Sequence, residues 1–143
     1  MNHKEIISEL GRMVGLESLK LEDDKGTSVY FDDDEIVFEQ TAGRLFVIAP
    51  IGPIEGHEDM FRTFLLANHL GADSALGSIG IDDLQDEYTL TRVFEGDLQY
   101  DEFEKSLLLF IRTLRKWKTI LKEGKVSENI ENTPSEIVSV MNS

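Results

Sequence analysis

Three consecutive stretches rich in Val, Ile, Phe or Tyr, 27–32, 35–40 and 44–50, are separated only by Asp33-Asp34 and Thr41-Ala42-Gly43. Connections this short join antiparallel neighbours and leave no room for a crossover, so the spacing predicts a three-stranded meander. Its side chains constrain the fold further. Val29 and Phe31 point away from Tyr30, Ile36 and Phe38 away from Val37, and Phe46 and Ile48 away from Leu45 and Val47. An antiparallel sheet in water commonly has one apolar and one solvated face; here both faces are apolar. Helices can cover one. The other meets either the N-terminal helix or a partner, and the sequence leaves both readings open.

The helices come from the 3.6-residue period. Ile6, Ile7, Leu10, Met13 and Val14 form a short amphipathic stripe closed by Gly15. Pro50, Gly52 and Pro53 should stop the third strand, and a second helix is expected over 57–70, with Phe61, Phe64, Leu65 and Asn68 on one side and Gly71 after it. Two further strands are expected over 78–82 and 87–94. Phe103, Leu107, Phe110, Leu114, Trp117 and Leu121 then recur at intervals of four and three, the stripe of a long helix. Its acids Asp101, Glu102 and Glu104 lie at the start and Lys116, Lys118 and Lys122 near the end, as the helix dipole favours. The order α-β-β-β-α-β-β-α gives an α+β fold with helices laid on an antiparallel twisted sheet. The 143 residues suffice for one core. We expect a single domain over 1–123 and a flexible tail over 124–143, in which Ile137, Val138, Val140 and Met141 are the residues able to dock.

Charge narrows the partners. The chain carries 28 Asp plus Glu against 14 Lys plus Arg, a net charge of -14. Nucleic acid and anionic membrane are disfavoured, because association would begin with repulsion. The acids crowd into 17–39 and 82–104, whereas 105–125 holds seven basic residues and one Glu. The first residues lack the basic and apolar regions of a signal peptide, and no apolar run approaches the length of a membrane span.

Catalytic patterns are absent at the positions where they begin. His57-Glu58 opens like a zinc-protease helix, but Phe61 stands where the second ligand belongs. Asp32-Asp33-Asp34-Glu35 lacks the alternation and the glycine of a calcium loop and reads as a solvated turn. The glycines from Gly71 to Gly77 are not followed by the lysine of a phosphate loop. His3, His57 and His69 are the only histidines, none with a nucleophile elbow, and His69 reads as a capping or packing residue. With no cysteine, thiol chemistry is excluded. Binding remains, and an apolar sheet ringed by acids suits an unfolded chain while keeping copies apart.

Several short segments carry a resemblance. Gly15-Leu16-Glu17-Ser18-Leu19, Phe31-Asp32-Asp33, Phe64-Leu65-Leu66-Ala67-Asn68, Ile79-Gly80-Ile81-Asp82, Tyr88-Thr89-Leu90, Leu98, Phe103 and Trp117 together resemble the class I type III secretion chaperones, the Tir-chaperone (CesT-like) family. The resemblance spans roughly 1–122, and either Gly77 or Gly80 takes the family's glycine position in the fourth strand. It implies a cytoplasmic bacterial homodimer without enzymatic activity, cofactor or metal. Such a protein holds the extended N-terminal segment of a secreted effector and presents it to the secretion ATPase and sorting platform. Carried over, the effector-binding surface would use Ile6, Leu10, Val29, Phe31, Ile36, Phe38, Phe46 and Ile48, and the dimer interface Phe61, Leu65, Ile79 and Ile81. Ordinary core is the competing reading for each. The alternative function is a non-enzymatic adaptor of similar fold that binds a folded protein.

Overall fold

The computed structural model describes residues 1–23 and 25–124. In chain order these form α1 (His3–Val14), β1 (Thr27–Phe31), β2 (Asp34–Thr41), β3 (Arg44–Pro53), α2 (Phe61–Asn68), β4 (Ser78–Asp82), β5 (Glu87–Glu95) and α3 (Tyr100–Glu123). The expected α+β architecture and element order are what the chain adopts. One antiparallel sheet runs in the order β1-β2-β3-β5-β4, so the last strand inserts beside β3 and leaves β4 at an edge.

Local chemistry starts and stops the helices. At the head of α1 the Asn2 side chain accepts from the Glu5 N–H at 2.9 Å, and the Glu5 carboxylate accepts from the Asn2 N–H at 3.1 Å. Gly15, at φ 77°, ends the helix. The six residues of the α3 stripe are all buried, and Gly124 at φ 68° closes that helix.

Two boundaries differ from the expectation. β3 does not stop at Pro50 but continues to Pro53, with a register shift between Pro50 and Gly52. The irregularity lets a strand carry prolines, which have no N–H to give the ladder. The second helix is also not continuous over 57–70. Its α-helical part is only eight residues, flanked by 3-10 turns at Glu58–Met60 and His69–Gly71, and Leu70 inside the second turn sits at φ 56°. A left-handed leucine breaks the helical path, which the apolar periodicity does not reveal. His69 ends the helix through its backbone while its side chain stays exposed.

All three helices lie on one face of the sheet. α1 buries Ile6, Ile7 and Leu10, and His3 is fixed between the Gln40 amide on Nδ1 (3.1 Å) and the Gly96 carbonyl on Nε2 (3.0 Å). α2 sends Phe64 between Tyr88 and Trp117, with ring centroids 4.7 and 5.1 Å away. α3 packs along β3. The acidic turn is correspondingly split. Asp33 is exposed, but Asp34 is buried, accepting from Arg115 Nε at 2.7 Å and Lys118 Nζ at 2.6 Å, while Asp32 takes Arg115 Nη2 at 3.1 Å. Asp34 is thus not part of a solvated turn: it ties the β1–β2 hairpin to α3, because strand alternation points it under that helix.

The register of β4 is resolved by sterics. A Cβ on Gly77 would lie 2.0 Å from the Thr91 carbonyl oxygen, whereas one on Gly80 would meet open space. Gly77 is therefore the glycine that close approach requires, and Ile79 pairs with Leu90 and Ile81 with Tyr88.

Candidate functional site

The sheet face opposite the helices carries no helix among the described residues. Strand alternation brings Tyr30, Val37, Phe46, Ile48 and Val93 onto it, with Val37 opposite Ile48 and Phe46 opposite Val93. Tyr30 is 59% exposed and Val93 40%. Acids border the strip. Glu35 accepts from the Tyr30 hydroxyl at 2.8 Å, an interaction that raises the phenol's pKa. Glu95 pairs with Arg44 at 2.8 Å. Burial pushes the Glu87 carboxyl pKa up, and repulsion from Asp82 on the adjacent β4 and from Glu35 on β2, two strands away, pushes it in the same direction.

The two sheet edges are not equivalent. On β4 the Asn68 side chain donates to the Ile79 carbonyl at 2.9 Å and accepts from the Ile79 N–H at 2.7 Å. α2 thereby occupies the Ile79 pair of backbone groups, at the centre of this five-residue edge, that an added strand would use. Along β1, among the described residues, the backbone makes no bond outside the β1–β2 ladder except that the Phe31 carbonyl accepts from Arg115. A groove runs beside this edge, floored by β1 and walled by Leu16, Ser18 and Leu19.

A second apolar surface lies where α2 meets β4. Phe61, Leu65, Ile79 and Ile81 line one cleft with Phe64, Asn68 and Tyr88. Leu65 is 71% exposed, Ile81 53% and Phe61 47%, while Ile79 is buried at its floor. The four residues named from the sequence for the dimer interface are thus brought together.

The residues named for effector binding are divided. Ile6, Leu10, Val29, Phe31, Ile36 and Phe38 lie in the protomer's own core beneath the helices, each 4% exposed or less. As placed, they offer a partner no surface, which corrects their assignment to one. Phe46 and Ile48 are on the bare face. The reason is register: Phe38 pairs with Val47, and opposed residues share a face, so Phe38 and Phe46 point to opposite sides. Tyr30, Val37 and Val93 complete the bare strip. Their signal in the sequence was the second apolar parity of each strand, without a register to align the parities. Among the described residues no group of three or more His, Asp or Glu is arranged to hold a metal ion, and no helix is long and apolar enough to cross a membrane.

A helix-backed sheet with one bare apolar face and one open edge defines a protein that binds polypeptide. Residues 5–118 match the Tir chaperone protein (CesT) family, and the chain belongs to it. No curated protein matches the chain. Among solved structures, a chain of the ExsC-ExsE complex superposes with a TM-score of 0.72 at 23% identity, covering 85% of this chain and 97% of that one. A chain of the HopA1-SchA chaperone-effector complex gives 0.63 at 19%, over 82% and 93%. One from the heterodimeric ExoU-SpcU complex of the type III secretion system of Pseudomonas aeruginosa gives 0.59 at 17%, over 83% and 93%. At these identities the likeness is one of fold.

Proposed function

We propose that the chain holds the N-terminal segment of a secreted effector in extended form, as an added strand on the β1 edge with apolar anchors on the bare face. The observation that carries this reading is the open β1 edge beside the Tyr30, Val37, Phe46, Ile48 and Val93 strip. An added strand gives hydrogen bonds tolerant of cargo sequence, and alternate side chains supply the anchors. Ordering such a segment costs about 2–5 kcal/mol or more, so several anchors must act together. The role is binding without catalysis, in the bacterial cytoplasm, followed by presentation of the cargo to the secretion ATPase and sorting platform. The α2–β4 cleft, with three exposed apolar side chains above a buried isoleucine, is the surface for a second copy. Residues 1–123 act as the single chaperone unit; the tail expected beyond them lies, after Gly124, outside the described residues.

The test uses the full chain and the N-terminal segment of a secreted protein that co-purifies with it. Hydrogen exchange should slow at the amides of β1 when the segment binds, and the bound segment should lack folded-domain protection. Protection confined to helices, or a folded bound domain, would favour an adaptor instead. Light scattering should report about twice 16.2 kDa for the free protein, and Leu65→Asp with Ile81→Asp should halve it.

A further inference from the structure

The segment between α2 and β4 holds left-handed backbone at three residues that are not glycine: Leu70 at φ 56°, Ala75 at 54° and Leu76 at 60°. Non-glycine residues keep such conformations only where the surroundings over-determine them, and these surroundings do. The Asp73 N–H donates to the Ala67 carbonyl and the Gly77 N–H to the Ser74 carbonyl, while the Asp73 carbonyl accepts from Trp117 Nε1 at 2.8 Å. The Leu76 carbonyl accepts from Arg92 at 2.6 Å, and a Cβ on Gly71 would meet the Leu76 Cα at 2.9 Å. All this fixation does not bury the leucines. Leu70 is 87% exposed and Leu76 64%.

They face the outer side of α3. Lys105, Leu109, Arg112 and Lys116 recur there at helical spacing, and Leu70, Leu76, Leu109, Arg112 and Lys116 line one groove. Lys116 reaches Asp73 at 3.1 Å, whereas Arg112 has no hydrogen bond or ion pair among the described residues. In a chain of net charge -14 this groove, with Arg112 and Lys116 against Asp73, is a net positive exception with leucines held ready in it.

We infer that the groove between the 70–76 loop and α3 is a second docking site, for an amphipathic helix of another protein whose leucine-type stripe is bordered by Asp and Glu. Charge complementarity to Arg112, whose guanidinium has no partner among the described residues, selects the acidic border, and the three exposed leucines select the stripe. A helix fits better than a strand. The Asp73 N–H is already bonded to α2, and those of Ala72, Leu76 and Gly77 within the loop, so the groove offers side chains and no free sheet edge. The site lies on the helix side of the sheet, away from the bare face. It stays accessible when that face is occupied and does not depend on the cargo reading.

The experiment uses the full chain and a synthetic labelled helix of about 18 residues with Leu at i, i+3, i+4 and i+7 bordered by Glu, beside the same peptide bordered by Lys. Fluorescence anisotropy should show saturable binding of the Glu peptide only. Arg112→Glu should weaken it about tenfold or more and raise affinity for the Lys peptide; Leu70→Ser with Leu76→Ser should weaken it with light-scattering mass unchanged. Binding of neither peptide, or of both alike and insensitive to Arg112→Glu, overturns the proposal. A halved mass in the leucine variant would give the groove to a second copy and overturn it. So would Arg112-dependent binding of heparin or phosphatidylserine vesicles in place of the Glu peptide.

Discussion

Phe38 and Phe46 stand on neighbouring strands, yet Phe38 has no exposed surface whereas Phe46 lies on the face that no described helix covers. The covered face is closed by three helices and a charged tie. The bare face carries an apolar strip of similar chemistry with acids around it. Hydrophobicity alone therefore does not sort the two faces; what sorts them is which parity each strand turns toward α1, α2 and α3. The covered face makes the core of the chain, and the bare one is the face proposed above for the cargo.

Substitution of the two phenylalanines is the strongest way to break this contrast. Phe38→Asp removes a buried ring and inserts a charge. Truncating such a ring already costs about 3–5 kcal/mol, so urea melts followed by circular dichroism should show a chain that no longer folds stably. Phe46→Asp should shift stability by no more than about 1 kcal/mol and instead abolish measurable cargo binding. If both variants unfolded alike, the bare face would be core. Next in size is Asp34→Ala, which leaves Arg115 and Lys118 without their shared carboxylate. Losing one member of a buried pair costs about 3–5 kcal/mol; with both cations roughly a third exposed, we expect about 1–3 kcal/mol in the same melts.

Smaller effects sharpen the difference between the edges. Asn68→Ala should cost about 1 kcal/mol and speed hydrogen exchange at the Ile79 amide, while leaving the β1 edge unchanged. The smallest expected effect is electrostatic. The raised pKa of Glu87 means the folded state binds its proton more tightly than the unfolded chain does. Its penalty is present above the folded pKa and is relieved as pH falls through that value toward the ordinary carboxylate range. Glu87→Gln should therefore stabilise the protein by less than about 1 kcal/mol at pH 7, with the advantage shrinking in acid melts. An advantage that grew with acid would reverse the sign.

Much of this organisation was legible in local patterns. The Gly15 punctuation, the α3 stripe from Phe103 to Leu121 and the meander spacing depend on neighbours within a few residues, and each produced the element it indicated. The second helix was misread because nothing in the leucine-rich 65–70 stretch announces a left-handed Leu70. The loop that follows it is tied at Asp73 and Leu76 by contacts from α3 and β5, which are remote in sequence. The same remoteness hid Asp34, whose cations stand 81 and 84 residues away.

The partner surface shows where the division falls. The amino-acid sequence by itself determined that β1, β2 and β3 would be apolar on both sides, since alternation within a strand is fixed by the backbone pleat. It also determined that acids would surround them, and that the dimer candidates Phe61, Leu65, Ile79 and Ile81 would flank α2 and β4. Only the tertiary structure decided that Phe38 pairs with Val47 and goes inward while Phe46 stays outward, that β5 separates β3 from β4, and that Asn68 closes one edge and leaves β1 open. Register and strand order are set by contacts between distant segments, and a shift of one residue would exchange the two faces.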